Sequence, residues 1–199
     1  FMDIKALAQK DEPYIIERRR YFHAHPELSF KEWDTTKALV AEFEKMGMEI
    51  QTFPDYPGLI ATLDTGKPGR TVMLRADIDA LPVKEGTGLD FASQNEGVMH
   101  ACGHDNHMAM LLGAAHILLE KKDELKGKVK FLLQSGEEMA CGAKYYVDHH
   151  ILDGVDAIFG QHIWGTLDAP YVCVASGNRM ASCDNFTIRV KGLQSHGSA

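Results

Sequence analysis

The densest group of chemically reactive side chains in the sequence lies in the run Met99–His107, which contains Cys102 and His104. Thiolate and imidazole are ligands for zinc and its transition-metal neighbours, and a Cys-x-His spacing on a loop can close on one ion. A helix N-terminus with Asp105 in its first turn and a buried cysteine would explain the same residues without a metal. Partners elsewhere in the chain are needed to decide between these two interpretations.

Candidate partners follow apolar segments further along the chain. The adjacent carboxylates Glu137 and Glu138 come soon after Phe131–Leu133, and His162 precedes two large apolar residues. Adjacent side chains after a strand point in different directions, so one carboxylate can bind a metal while the other faces a metal-bound water. A solvated acidic turn and a core histidine are the alternatives. The apolar segment before the carboxylates argues against the first of these.

A second carboxylate pair, Asp77 and Asp79, follows a buried segment. Residues two apart on an extended segment share a face, so both can approach one site as ligands or as acceptors that orient a histidine. The alternative is a loop pair that balances the charge of Arg75. The sequence leaves both interpretations open.

Apolar periodicity and turn residues predict the elements that position these side chains. Helices are predicted over Ile4–Tyr21, Lys31–Met46, His104–Lys122 and Gly142–His149, and strands over Glu49–Phe53, Leu59–Leu63, Thr71–Arg75, Val129–Gln134, Ala157–Gln161, Tyr171–Ser176 and Asn185–Val190. This alternation indicates an α/β fold, a three-layer sandwich in which a largely parallel sheet is covered on both faces. Such sheets bind ligands beyond the carboxyl ends of their strands, where the carboxylate pairs and His162 fall.

The composition excludes several classes of protein. The chain of 199 residues is 45% hydrophobic and 25% charged, which is typical of a globular domain. With 28 acidic and 21 basic residues and a formal charge of -7, it has no basic stripe for a nucleic acid. No apolar run approaches the roughly 18–20 residues that span a bilayer, and no signal core is present, so we expect no membrane partner and a cytoplasmic location.

Several motifs together resemble the M20 peptidase family, and in particular its subfamily D of hippurate hydrolases, N-acyl-amino-acid deacylases and auxin-conjugate hydrolases. The motifs are Phe22–Phe30, Arg75–Pro82, His100–His107, Gly136–Glu138, Gln161–Gly165 and Ser195–Ser198. They occur in the order expected of that family. The resemblance implies a zinc-peptidase-like, three-layer α/β/α catalytic domain over residues 2–180. It also implies the beginning of an inserted α/β lid domain, through which the protein dimerises, over residues 181–199.

The resemblance also implies roles for individual residues. The implied metal ligands are Cys102, His104, Glu138 and His162. Glu137 would be the general base on a metal-bound water, with Asp79 and Asp105 as supporting carboxylates, and His196 on the lid would stabilise the oxyanion. Family members have a further ligand histidine near the C-terminus of a longer chain, and nothing here matches it. We therefore expect the 199-residue chain alone to be inactive.

The implied reaction is hydrolysis of the amide bond of a small N-acyl amino acid, with a dipeptide as the next substrate class. The implied cofactors are two divalent metal ions, zinc or manganese, with cobalt or nickel as alternatives, and the implied assembly is a homodimer. Two hypotheses from other classes stay open. A protein that only binds metal would not need Glu137, and a hydrolase with Cys102 as nucleophile would not lose its activity to a chelator.

Overall fold

The computed structural model describes residues 3–182, 186–193 and 195–198, in two units, Phe1–Gly165 and Thr166–Ala199. The helices of the first unit are α1 (Ile4–Ala24), α2 (Trp33–Lys45), α3 (His104–Glu120) and α4 (Gly142–Asp148), with short 3-10 helices at Lys122–Glu124 and Glu137–Met139. Its strands are β1 (Glu49–Thr52), β2 (Gly58–Asp64), β3 (Thr71–Asp77), β4 (Lys128–Gln134) and β5 (Ala157–Gly160). Among the described residues, no helix combines the length and the apolar character needed to cross a bilayer.

The five strands form one mixed sheet in the order β1-β2-β4-β3-β5. β3 is parallel to both of its neighbours, β4 and β5, whereas β2 is antiparallel to both β1 and β4. The prediction of a largely parallel sheet is therefore wrong for the β1–β2 half. The short connection between β1 and β2 explains the direction of that pair, because parallel neighbours need a crossover of a dozen or more residues.

Apolar side chains cover both faces of this sheet. On one face, Leu59 and Phe131 pack with Phe43 of α2 and Leu112 of α3 in a cluster of buried residues. On the other face, Ile60, Met73 and Leu132 pack with Tyr146 of α4. Alternate residues of one strand point to opposite faces, so a sheet covered by helices on both sides needs apolar residues at nearly every position. The predicted three-layer α/β architecture is confirmed.

Two predicted strands are not found. Residues 171–176 have no regular secondary structure, and neither have residues 186–190, the described part of the predicted strand Asn185–Val190. Apolar alternation favours a strand only where a neighbouring strand accepts its hydrogen bonds, and these residues have none among those described. Their apolar side chains are exposed, with Val190 at 88%. The predicted domain boundary at residue 181 stays a prediction.

Candidate metal centre

The candidate site lies at the carboxyl ends of β4, β3 and β5, the three parallel strands at the centre and one edge of the sheet. Asp77 is the last residue of β3, Glu137 lies just after β4, and His162 lies just after β5. His104 is the first residue of α3 and reaches the same region. Parallel topology therefore explains how residues about sixty positions apart in the chain come to share one site.

Five of the predicted site residues converge there. The Sγ atom of Cys102 lies 3.4 Å from Nε2 of His162. Nε2 of His104 lies 3.7 Å from Oε1 of Glu138 and 3.7 Å from Oε2 of Glu137. The donor atoms of Cys102, His104 and His162 are all within 4.8 Å of one another, as are those of His104, Glu137 and Glu138. His104 belongs to both groups, so the two form one centre.

Hydrogen bonds select the ring nitrogen that each of the two histidines predicted as ligands presents to the centre. Nδ1 of His104 donates to the backbone carbonyl of Asp79 at 2.8 Å, and Nδ1 of His162 donates to the carbonyl of Ile163. In a neutral imidazole with the proton on Nδ1, Nε2 carries a lone pair. When neutral, both histidines therefore offer a lone pair on Nε2 to the centre, the state in which imidazole binds metals.

The donor atoms fit a divalent cation. Nε2 of His104 and Oε1 of Glu138 are buried, and neither has a hydrogen-bond partner within the part of the chain that the structure describes. Burial, and next the charge of Glu138, raise the pKa of the Cys102 thiol to about 12. A nearby cation reverses that effect, because it stabilises thiolate and carboxylate together. The unpartnered atoms and the acidic crowding are both accounted for by a bound metal ion.

His107 and Asp77 are already committed to hydrogen bonds within the protein. Nδ1 of His107 lies 2.5 Å from Oδ1 of Asp77, and its Nε2 accepts the backbone N–H of Ile163 at 3.0 Å. Arg75 donates to the other oxygen of Asp77 at 2.8 Å. Burial favours the neutral form of Asp77, but the His107 hydrogen bond and the Arg75 charge outweigh it and hold its pKa at about 2. Asp77 thus balances Arg75 and orients His107.

Asp79 orients other parts of the centre. Its Oδ2 accepts the hydroxyl of Ser29 at 2.6 Å and the backbone N–H of Glu138 at 2.9 Å. Its backbone carbonyl holds the ring of His104, as described above. Asp79 therefore holds His104 through its backbone carbonyl and Glu138 through its side chain, and so fixes one residue of each group.

Two glycines allow the backbone of the centre to pack closely. Gly103, with φ of 97°, precedes α3, and a Cβ atom there would lie 2.2 Å from Cδ1 of Ile163. Gly136, with φ of 72°, precedes Glu137, and a Cβ atom there would lie 2.2 Å from Cε1 of Phe30. A larger residue at either position would be strained by the positive φ and would have to displace the neighbouring side chain. The glycines bring Cys102 next to His162 and turn Glu137 into the site.

Behind α3, a buried polar cluster ties the loop between β3 and α3 to α1. Nδ1 of His23 lies 2.8 Å from Oδ2 of Asp105, and its Nε2 lies 3.1 Å from Oε1 of Glu85. Arg19 also contacts Asp105, at 2.9 Å. The hydrogen bond with Asp105 is the main cause that raises the pKa of His23 above its ordinary value of 6.5. Protonated His23 donates to both carboxylates, whereas neutral His23 can donate to only one.

This cluster predicts a pH-dependent contribution to stability. Since the pKa of His23 is higher in the folded than in the unfolded chain, its contribution is full below about pH 6.5 and is lost as pH rises through the folded-state pKa. We expect His23→Gln to lower the free energy of unfolding by about 1–2 kcal/mol more at about pH 6 than at about pH 9. Urea unfolding at both pH values measures this. His25→Gln, at an exposed position two residues along, is the control, and an equal pH effect in both variants would contradict the assignment.

The remaining predicted catalytic residue, His196, lies in the second unit, Thr166–Ala199. Its side chain is exposed, and its Nδ1 accepts the backbone N–H of Ser198 at 3.2 Å. Its role in stabilising an oxyanion stays a prediction.

A buried carboxylate beside the centre was not singled out from the sequence. Glu32 is 0% exposed and accepts hydrogen bonds from the hydroxyl of Ser135 and the backbone N–H of Gly136. An acidic residue at the beginning of a helix is usually solvated and stabilised by the helix dipole, so the sequence position of Glu32 does not indicate a buried carboxylate. Its neighbour Phe30, at φ of 63°, belongs to the motif that resembles the M20 family.

Thiol, imidazole and carboxylate side chains meet at the carboxyl ends of parallel strands. This places the chain in the class of α/β proteins with a candidate metal centre. The sequence profile of Peptidase family M20/M25/M40 matches residues 73–191, and this chain belongs to that family. The resemblance predicted from the motifs is confirmed.

Individual similar proteins support this family assignment. N-acyl-L-amino acid amidohydrolase of Geobacillus stearothermophilus is 41% identical over 197 residues, 98% of this chain and 53% of that protein. Thermostable carboxypeptidase 1 of Saccharolobus solfataricus is 43% identical over 199 residues, 98% of this chain and 51% of that protein. The crystal structure of a Bacillus subtilis protein, described as a dinuclear metal binding peptidase from the M20 family, superposes with a TM-score of 0.75 at 44% identity, covering 82% of this chain and 45% of that one. This chain thus spans about half the length of the curated relatives.

Proposed function

We propose that the protein is a metal-dependent amidohydrolase that cleaves small N-acyl amino acids. The observation that carries the proposal is the position of Glu137 and Glu138, which both approach Nε2 of His104 at 3.7 Å in a site rich in metal-ligand atoms. A protein that only stores or senses metal has no use for a second carboxylate in that position. The relative named N-acyl-L-amino acid amidohydrolase supports the substrate class.

The adjacent carboxylates differ in exposure, and this supports different roles. The Glu138 side chain is 18% exposed and its backbone N–H is fixed by Asp79, which suits a ligand. The Glu137 side chain is 39% exposed, which suits a group that must meet water and substrate. We assign Cys102, His104, Glu138 and His162 as ligands. Divalent ions bound there would supply the positive charge that acidifies a water molecule and polarises the acyl carbonyl.

In this proposal, Glu137 moves the protons of the reaction. It accepts a proton from the attacking water as the water oxygen bonds to the acyl carbon, and it later donates that proton to the leaving amine nitrogen as the C–N bond breaks. Asp79 keeps Nδ1 of His104 protonated through its carbonyl, so that Nε2 stays a lone-pair donor. His196 is proposed to stabilise the oxyanion, a contribution that is commonly about 3–4 kcal/mol for one well-placed donor.

The identity of the metal, the oligomeric state and the cellular location are proposals drawn from the family resemblance. Zinc is our first choice of metal because a thiolate and imidazoles are among its preferred ligands, and manganese is the second because carboxylates also suit it. We also propose a homodimer formed through the lid domain and a location in the cytoplasm. A carboxypeptidase activity is the alternative function, favoured by the Saccharolobus relative of that name.

A chelation experiment on the whole protein tests the proposed function. Hydrolysis of N-acetyl amino acids, dipeptides and blocked dipeptides is measured before chelation, after it, and after zinc or manganese is restored. We expect N-acetyl amino acids to be cleaved fastest, and we expect activity that chelation removes and metal restores. Faster cleavage of blocked dipeptides would support the carboxypeptidase alternative. Activity that survives complete removal of metal would contradict the proposal and favour Cys102 as a nucleophile.

A further inference from the structure

The segment Ser29–Glu32, between α1 and α2, contacts the candidate centre from behind at three points. The Ser29 hydroxyl donates to Asp79 at 2.6 Å. The Phe30 ring lies against Gly136, at the place where a Cβ atom would otherwise stand. The Glu32 carboxylate accepts the Ser135 hydroxyl at 2.8 and 2.9 Å and the Gly136 N–H at 3.1 Å. All three contacts reach the residues that carry or orient Glu137 and Glu138.

Glu32 occupies an energetically unfavourable position. Its side chain is completely buried, and it takes part in no ion pair among the residues that the structure describes. Burial raises its pKa to about 7, even though the hydrogen bonds from Ser135 and Gly136 oppose this shift. Burying a carboxylate without a cation costs stability, and such groups are concentrated at functional sites.

The hydrogen bonds of Glu32 are directed at the turn after β4 and not at its own helix. Glu32 precedes α2 directly, yet its side chain makes no capping hydrogen bond to that helix. A role confined to starting α2 would use the carboxylate as a cap for the free N–H groups of the first turn. The carboxylate instead contacts Ser135 and Gly136, which directly precede the proposed base and ligand.

We propose that Glu32 is a positioning residue that holds the Ser135–Gly136 turn and thereby aims Glu137 and Glu138 at His104. This inference rests on the proposed function. Glu32 holds this turn at the Ser135 hydroxyl and the Gly136 N–H. The turn is also held by the Tyr146 hydroxyl at the Ser135 N–H, by the Gly142 N–H at the Gly136 carbonyl, and by Asp79 at the Glu138 N–H. Loss of the Glu32 contacts loosens the left-handed turn at Gly136, and both carboxylates move with it. A displacement of about 1 Å can lower a rate roughly 100-fold.

Two conservative substitutions separate positioning from charge. In Glu32→Gln, the amide oxygen can accept the Gly136 N–H while the amide NH₂ donates to the Ser135 oxygen, so the turn stays held without the charge. In Glu32→Asp, the charge is kept but the carboxylate is drawn back from the turn by one methylene. Positioning by hydrogen bonds therefore predicts that glutamine is tolerated and aspartate is not.

We expect Glu32→Asp to lower kcat about 10–100-fold with KM within about 2-fold, and to weaken metal binding about 10-fold. Glu32→Gln should stay within about 3-fold of the wild type in all three quantities. Metal affinity is measured by competition with a chromophoric chelator, independently of catalysis. Glu42→Asp is the matched control, because Glu42 is a buried carboxylate on α2, the helix that follows Glu32, and contacts Tyr14 and Arg18 instead of the centre.

The control should lower Tm without changing kcat or metal affinity. If Glu32→Asp behaves like this control, Glu32 is only structural and the inference is overturned. If glutamine is as damaging as aspartate, or more so, the charge matters and the positioning account is also overturned. A wild-type protein that binds metal but cleaves none of the substrates would contradict the proposed function alone. The comparison of metal affinities would then still decide the role of Glu32.

Discussion

Replacing Glu137 by glutamine should lower kcat for N-acyl amino acids at least about 100-fold while the metal content stays at the wild-type level. Glutamine keeps the length and the hydrogen-bonding reach of glutamate but cannot accept the proton of the attacking water. Its side chain is the more exposed of the adjacent pair, so the substitution leaves the packing of the centre intact. Steady-state kinetics and elemental analysis of the same preparation measure both quantities.

The neighbouring substitution Glu138→Gln provides the contrast. Because the half-buried Glu138 side chain lies beside Cys102 and His104, its loss should reduce metal affinity as well as turnover. Near-normal turnover in Glu137→Gln would refute its role as the base. Loss of metal in Glu137→Gln, with metal retained in Glu138→Gln, would show that the two roles are assigned the wrong way round.

His104→Ala should weaken metal binding at least about 100-fold and abolish measurable hydrolysis. Removal of a hydrogen-bond partner of a ligand commonly costs about 10–100-fold in metal affinity, and removal of a ligand itself should cost at least the upper end of that range. His104 is the residue through which the cysteine–histidine group and the carboxylate group meet, so no other single ligand should have a larger effect.

His116→Ala is a matched control because His116 lies on the same helix, where it stacks on Tyr14 at 4.2 Å. It should keep both metal and activity. The unfolding temperature of each variant, measured without metal, separates loss of a ligand from loss of fold. If His104→Ala kept wild-type metal affinity, the centre would have to be built from other residues.

Most helices and strands could be predicted because their local sequence preferences agree with the positions that they occupy in the folded core. Helix α3 begins at His104, as predicted, because Gly103 with its positive φ directly precedes it. The apolar runs that form β3 and β4 are buried or half-buried on both faces and allow little choice of position. The antiparallel half of the sheet was missed because alternation does not specify direction, although the short connection before β2 requires a hairpin.

The candidate site could be predicted only from several motifs together. Cys102 with His104, or Glu137 with Glu138, has an ordinary structural explanation when taken alone, and the likeness to a family in several ordered motifs decides between the explanations. Glu32 could not be predicted in this way, because its partners lie more than a hundred residues away and no rule of spacing connects them. Long-range hydrogen bonds between side chain and backbone depend on the folded arrangement of α2 and β4.

The cobalt(II) spectrum of the protein tests the central claim most directly, which is that Cys102 and its neighbours bind a metal ion. Cobalt replaces zinc at sites of this type, and a thiolate ligand adds an intense sulfur-to-cobalt charge-transfer band in the near ultraviolet. We predict this band in the wild type and in Cys141→Ser, whose thiol is exposed, and its loss in Cys102→Ser. A wild-type protein without the band, or a band that survives in Cys102→Ser, would contradict the proposed centre.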